Sequence, residues 1–358
     1  MSELFTVLSI DGGGIRGIIP AQVLVGLEAI LKEEFPDAPR IADHFDLVAG
    51  TSTGGILACG LLVPNDANSN DVENTNTSID EGHAISEYTA SDLLQMYFEK
   101  GGEIFDASLY HTLRSAGGWT DSKYRADTLE RVLKEYFGDL LLSDLLRPCL
   151  LTSYDISRRK AHFFRQHTAQ RKSSHDFYVR DAIRGTSAAP TFFEPAYVRS
   201  EADVPFPLID GGLFANNPTA CALAEAIGRR FKKKLDEIAI LSLGTGSFKQ
   251  PYDYQQAKDW GTAGWILPLV DMMMSGVGET THYQIAQIFH GIGKEAHYLR
   301  LDATFTKNPL EPAPDLDDAS EKNIRKLSSF GRELADSSEQ QLRAFAQVLQ
   351  QRRNSKSE

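Results

Sequence analysis

The feature that most limits what this 358-residue chain can become is its stretch 46–55, Asp-Leu-Val-Ala-Gly-Thr-Ser-Thr-Gly-Gly. A short apolar run stops on Gly50-Thr51-Ser52-Thr53-Gly54, and an apolar, helix-like segment follows at once. This is G-x-S-x-G in a strand–turn–helix setting, where a sharp and strained turn lifts a serine hydroxyl off the sheet edge. Gly50 and Gly54 flank Ser52 closely because such a turn leaves no room for Cβ atoms. The turn also sets the N-terminal amides of the following helix beside the hydroxyl. The pattern alone arises often by chance, so its neighbours decide what it means.

Two other apolar runs end in the same way. Phe5–Ile10 (FTVLSI) runs into Asp11-Gly12-Gly13-Gly14-Ile15-Arg16-Gly17, and Leu208-Ile209 runs into Asp210-Gly211-Gly212. The first loop fits G-x-G-x-x-G, but a dinucleotide fingerprint also needs an acid closing the next strand about twenty residues on. Asp37 has that spacing, yet it lies in Phe35-Pro36-Asp37-Ala38-Pro39, a turn with no strand to close. An oxyanion-binding loop explains three consecutive glycines better, because bare backbone N–H groups can then approach a reacting carbonyl. Arg16 puts a positive charge beside that loop, for a phosphate or for a structural ion pair.

A serine nucleophile needs a base, and histidine is the usual one. None of the nine histidines stands out. His44 precedes the strand, at the wrong end of a sheet, and His162 lies inside a strand-like run. His83 is in a polar stretch and His111 in an irregular one, while His167, His175, His282, His290 and His297 lack a glycine-flanked strand end. Asp210 has that context. Its alternative is a turn or capping aspartate, common before Gly-Gly. As a base it would need direct contact with the serine and partial desolvation to raise a carboxyl pKa of about 3.9.

Strand-like runs also cover 149–156 and 161–164, joined by a basic turn, and 238–243 closing on Gly244-Thr245-Gly246. Between them lie helical segments at about 18–32, 53–63, 88–99, 126–137 and 179–189, and one from Thr219 that ends in the solvated cationic run 229–234. Strands alternating with helices predict an α/β fold of three layers: a mainly parallel sheet with helices on both faces. A single domain over 1–358 is expected, with a polar surface insertion at 64–83 and two amphipathic helices in a C-terminal region, 317–351. The clustered acids Asp315, Asp317 and Asp318 read as a solvated helix start, and no loop has calcium-binding spacing, so no metal or cofactor is expected.

Charge and apolar content narrow the partners. A formal charge of −12 excludes a dominant basic field, so no nucleic-acid polymer is expected, and any membrane contact should be local, transient and apolar. Cys59, Cys149 and Cys221 sit in apolar contexts and read as buried free thiols of a reducing compartment. The N-terminus lacks a basic n-region, and no stretch reaches 18 uninterrupted apolar residues. A cytoplasmic protein, peripheral at a membrane at most, is the expectation.

Taken together and in this order, residues 11–17, 50–54 and 210–212 resemble the patatin-like phospholipase family. The segment Thr186-Ser187-Ala188-Ala189-Pro190-Thr191-Phe192-Phe193 is similar to the one that precedes the family's aspartate. The resemblance spans about 5–246, more loosely beyond, and the 64–83 insertion departs from it. It implies Ser52 as nucleophile and Asp210 as its base, a dyad without histidine. It further implies oxyanion donors at Gly12, Gly13 and Gly14, with Arg16, Gly17, Gly50, Gly54, Gly211 and Gly212 in support. The implied reaction is calcium-independent hydrolysis of phospholipid or other lipid acyl esters. Residues 264–277 (GWILPLVDMMMSGV) and 105–119 are candidates for an acyl groove or a cover, with ordinary core as the alternative. A lipid-binding or storage protein and an effector switched on by a small-molecule activator, such as a cyclic nucleotide, are the competing functions. Oligomeric state, head group and acyl chain are left open.

Overall fold

The computed structural model describes residues 4–65, 85–104, 126–248, 251–306, 308, 310–313 and 315–356. Its strands are β1 (Phe5–Ile10), β2 (Leu47–Gly50), β3 (Cys149–Asp155), β4 (Lys160–Arg165), β5 (Ala196–Arg199), β6 (Pro205–Asp210), β7 (Ile238–Leu243), β8 (Ser247–Phe248), β9 (Tyr298–Leu301) and β10 (Thr304–Phe305). The longer helices are α1 (Ile18–Glu34), α2 (Thr53–Gly60), α3 (Ala90–Ile104), α4 (Ala126–Phe137), α5 (Val179–Thr186), α6 (Thr219–Ile227), α7 (Thr262–Gly291), α8 (Glu321–Ser337) and α9 (Glu339–Lys356). The main sheet runs β5-β6-β3-β2-β1-β7-β9, with β4 also paired to β3.

The expected three-layer α/β fold is present, and alternation along the strands builds it. Leu8, Ile10, Val48, Ala239 and Leu241 face a core shared with α1, α3, α5, α8 and α9. Phe5, Val7, Leu47, Ala49, Ile238 and Ile240 point the other way, onto α6 and α7. One apolar segment, Gly14–Glu34, is long and apolar enough to span a bilayer by composition, but 67% of that window is buried inside the protein. It is the central core helix, held against α8 by packing and by a hydrogen bond from Gln22 Nε2 to Ser328 Oγ (2.8 Å).

The sheet is parallel only from β3 through β2, β1 and β7 to β9. The strands β4, β5 and β6 pair antiparallel. Along β3, β4 occupies one edge over residues 150–155. The other edge is divided: β2 climbs it until Gly50 stands opposite Leu151, and β6 descends it until Asp210 stands opposite Ser153. The two strands therefore meet head-on, two β3 residues apart.

The 64–83 insertion falls mostly outside the described residues. Its ends meet in an antiparallel bridge, Pro64 to Ser86, so the segment leaves and rejoins the fold at one point. The C-terminal region forms α8 and α9, and Ser320 caps α8 by accepting the Asn323 N–H (3.3 Å). The clustered acids at 315–318 precede that cap, and Asp318 accepts the Ser320 N–H (3.0 Å). Cys59 and Cys149 are buried with their sulfurs 4.0 Å apart, whereas Cys221 is only half-buried, contrary to expectation.

Gly54 is where α2 leans on the sheet. A Cβ there would stand 2.2 Å from the Ile10 carbonyl oxygen and 2.7 Å from that of Asp11, both backbone atoms with no freedom to yield. Gly276 in α7 has nothing within 4 Å of its Cβ position. Gly54→Ala is therefore expected to cost several kcal/mol, of order 3 or more, or to prevent folding. Gly276→Ala should stabilise by about 0.5–1 kcal/mol through helix propensity. Denaturant unfolding of the two variants checks both signs.

Candidate active site

Ser52 sits at φ 54°, ψ −124°, immediately before α2. That backbone conformation is strained for a residue with a Cβ, and such strain persists only where surroundings over-determine it. Here a chain of hydroxyls does so. The Ser52 N–H donates to Thr186 Oγ1 (3.0 Å), and Thr186 Oγ1 donates to the Thr152 carbonyl (2.5 Å). Thr51 Oγ1 donates to the Ala215 carbonyl (2.7 Å) and lies 2.7 Å from Thr152 Oγ1. Thr152 lies between the β3 residues that face Gly50 and Asp210, so these hydroxyls occupy the gap where β2 and β6 meet. Nothing local in the sequence marks Thr51, in the turn after β2, or Thr152, inside β3, for such a role.

Asp210 is buried, and its Oδ1 accepts the Gly212 N–H at 2.7 Å. Burial raises its carboxyl from 3.8 to about 6, while the nearby Ser52 hydroxyl and the Gly212 N–H bonded to it pull the other way. No cation is among the groups that perturb it. Asp210 and Ser52 line one cleft. Among the described residues, no histidine lines their cleft. His44 Nε2 bonds the Ala38 carbonyl (2.7 Å) and His167 Nε2 bonds Glu225 (2.8 Å), while His162 is packed among Phe164, Phe177 and Phe206. Burial drives His162 down to about 4, leaving it neutral.

The glycine loop comes over Ser52 from β1. The Gly12 N–H already donates to the Asn216 carbonyl (3.0 Å). Of the three expected oxyanion donors Gly12 is therefore spent, and Gly13 and Gly14 line the cleft with Ser52. Gly14 has φ +57°, and a Cβ on it would stand 2.1 Å from the Leu316 carbonyl oxygen. That carbonyl accepts the Ile15 N–H at 2.9 Å, so the loop before α8 buttresses the turn. Arg16 does not line the cleft; its guanidinium lies 5.7 Å over the Phe305 ring. The expectation that it adds charge at the site is corrected, since the turn 14–17 carries its side chain toward the C-terminal strands. Gly17 packs on Thr53 and Tyr97, Gly50 on Gly54 inside the elbow, and Gly211 on Thr152, while Gly212 lines the cleft. Tyr97 is buried with its hydroxyl 2.5 Å from Thr53 Oγ1, and burial keeps its phenol neutral by raising it above its ordinary range.

Behind the loop stands a buried ion pair. Arg300 on β9 grips Asp11 with both terminal nitrogens (2.7 and 3.2 Å) and also donates to Asp302 Oδ2 and Ser242 Oγ (2.8 Å each). Burial raises Asp11 to about 6 against the pull of Arg300, so the pair is charged at neutral pH. Burial disfavours the guanidinium charge as well, but the Asp11 and Asp302 carboxylates more than offset it. The Gly12 carbonyl accepts from Thr245 Oγ1 (2.7 Å) and Asn216 Nδ2 (3.3 Å). Nothing in the sequence marked Arg300: Tyr-Leu-Arg-Leu is too short and too broken by charge to announce a buried strand.

The cleft below Ser52 is narrow, with a cavity volume of about 70 Å³. Its walls are apolar: Ile56, Met96, Leu129, Phe192, Phe193, Leu213 and Met274 among them. Only Met274 and no other described residue of 264–277 lines it, so that stretch contributes a rim and not the groove proper. The second candidate wall, 105–119, lies outside the described residues. A strained serine and a buried carboxylate at the head of one apolar cleft, on a sheet covered by helices on both faces, define a class of α/β proteins.

The chain belongs to the patatin-like phospholipase family, whose model matches residues 8–223. It is 32% identical to Patatin-like protein 3 of Arabidopsis thaliana, covering 93% of this chain and 81% of that protein. Patatin-T5 of Solanum tuberosum is likewise 32% identical, over 99% of this chain and 92% of its own. A third relative, named Probable inactive patatin-3-Kuras 1 and also from Solanum tuberosum, is 30% identical over 99% and 94%. Among solved structures, VipD from Legionella pneumophila aligns with a TM-score of 0.38 and 12% identity, over 94% of this chain and 67% of that one.

Removing the Arg300 charge strands Asp11 in the interior. Arg300→Met is expected to cost about 3–5 kcal/mol at neutral pH. Asp11 would then have a folded-state pKa raised further above its ordinary 3.8, so stability falls as pH rises through that range. The deficit against wild type should grow as pH rises above about 6 and shrink to a constant below it, where Asp11 is protonated in both folded proteins. Thermal unfolding across pH measures it.

Proposed function

We propose that the protein is a lipid acyl hydrolase of the phospholipase A or lysophospholipase type, acting through a Ser52–Asp210 dyad. The observation that carries this reading is Ser52 beside a buried Asp210, with no described cation offsetting the carboxylate, at the head of an apolar cleft. Ser52 Oγ bonds to the ester carbonyl carbon while Asp210 takes the hydroxyl proton. Charge moves to the carbonyl oxygen, which the N–H groups of Gly13 and Gly14 stabilise. Collapse of that intermediate breaks the ester bond, and the departing alcohol takes the proton from Asp210. Water then attacks the acyl-serine, Asp210 again accepting a proton, and the second collapse frees the carboxylic acid and restores Ser52. The apolar walls hold the acyl chain and keep bulk water from the dyad.

A protein that binds lipid without turnover is the competing reading, and one potato relative is named probable inactive. It is weaker here. Burying a carboxylate without a cation destabilises the fold, and binding alone gives no return for it. A pKa near 6 is what a general base at neutral pH requires: ionised, yet far more basic than an exposed aspartate.

Ser52→Ala should abolish release of fatty acid from phospholipid while the unfolding transition stays cooperative; undiminished release in that variant would end the hypothesis. For the wild type, kcat/KM is expected to fall about tenfold per pH unit below pH about 6, as Asp210 becomes protonated. Asp210→Asn should lose at least about a hundredfold in kcat and be more stable than wild type at pH 7, since the buried charge is gone. An unshifted acid limb in a series of active variants around Asp210 would reassign the base.

A further inference from the structure

The helix that lends Met274 to the cleft carries a second, outward-facing set of apolar side chains. Trp265, Leu269 and Met273 follow one another at intervals of four, so they share a face of α7, and they are 40%, 49% and 40% exposed. Aromatic rings extend this face beyond the helix start. Trp265 stands edge-on to Trp260 (5.0 Å between centroids), and Trp260 edge-on to Tyr252 (5.4 Å). Tyr252 is 41% exposed. The next residue after Met273 turns inward: Met274 lines the Ser52 cleft, its Cε 3.4 Å from where a Cβ on Gly212 would stand. Exposed apolar surface and apolar cleft are therefore continuous across one helical position.

We infer that this face of α7 is the surface by which the protein docks on a lipid bilayer, with Trp260 and Trp265 seated among the head groups. The inference rests on the lipid hydrolase reading and adds to it the place where substrate is met. An acyl chain leaving a bilayer has to cross from one apolar medium to another, and a docked α7 spares it a passage through water. Indole and phenol rings suit the bilayer interface, where one edge is apolar and the other wet. The net charge of −12 makes long-range attraction to anionic lipid unfavourable. Docking is thus apolar: it works on zwitterionic vesicles and resists added salt.

The test is a comparison of full-length wild type with Trp265→Ser/Leu269→Ser, neither position lining the cleft. Three readouts are taken: partition onto phosphatidylcholine vesicles, hydrolysis of that vesicular lipid, and hydrolysis of a soluble short-chain ester. A control pair, Tyr283→Ser/Ile288→Ser, alters exposed apolar residues nearer the far end of the same helix. Wild-type partition should shift tryptophan emission to the blue and survive high salt. The double variant should lose partition and vesicular turnover together, by roughly tenfold or more, while soluble-ester turnover and melting temperature match wild type. Partition equal in wild type and variant, or an equal loss in the control pair, would overturn the docking face. So would a wild-type oligomer in lipid-free solution that the double variant dissolves, since the face would then bind a second copy. A wild type that docks but cleaves neither substrate would instead overturn the hydrolase reading and leave the docking face standing.

Discussion

A loop of three glycines has no side chains with which to hold itself, and the site depends on what holds it from outside. Asp11, the last residue with a side chain before the glycines, is gripped in the interior by both terminal nitrogens of Arg300. The backbone around it is tied down in turn: the Asp11 N–H by the Leu243 carbonyl, and the Gly12 carbonyl by Thr245 and Asn216. All of these anchors come from after residue 208, and three of them, Leu243, Thr245 and Arg300, lie beyond the segment that the family model matches. The third of the chain that says least in its sequence thus supplies the frame of the loop that says most. A buried ion pair contributes uncertainly to stability in general, but here it also sets the register of a turn that would otherwise be soft.

The second constraint is topological. In a wholly parallel sheet, strand ends line one edge, and neighbouring ends are separated by the strand spacing of about 4.8 Å. Here β2 and β6 share one edge of β3 from opposite directions, so Gly50 and Asp210 face β3 residues only two apart. The junction thereby brings the Asp210 carboxylate and Ser52 into one cleft. The gap in pairing would leave backbone groups of β3 unsatisfied, and the hydroxyls of Thr51, Thr152 and Thr186 fill it. The same hydroxyls hold Ser52 in its strained conformation. Strain, carboxylate position and hydrogen-bond closure are three consequences of one junction.

The cleft and the outside of α7 reflect a common demand. A carboxylate raised to about 6 needs a dry site, and apolar walls make it dry. The walls that exclude water also suit a long acyl chain. The apolar character continues outward through Met274 to Met273, Leu269 and Trp265, which an ordinary soluble surface would not favour over polar side chains.

What the sequence determined by itself was local. The elbow at Ser52, the glycine turn after β1 and the aspartate closing β6 were legible, because each is a short run whose geometry needs particular residues at particular spacings. The apolar, β-rich runs 5–10 and 238–243 were enough to read those strands, and their alternation with helical segments gave the three-layer architecture. The mainly parallel sheet was legible, but the antiparallel run of β6 was not, since strand direction depends on pairing partners that no local pattern names. Only the tertiary structure decided that Gly12's amide is occupied, that Arg16 points to Phe305 and that Arg300 answers Asp11 across 289 residues. Those outcomes are long-range pairings. They are set by which chain segments compete for the same buried donors and acceptors, and that competition exists only once the chain is packed.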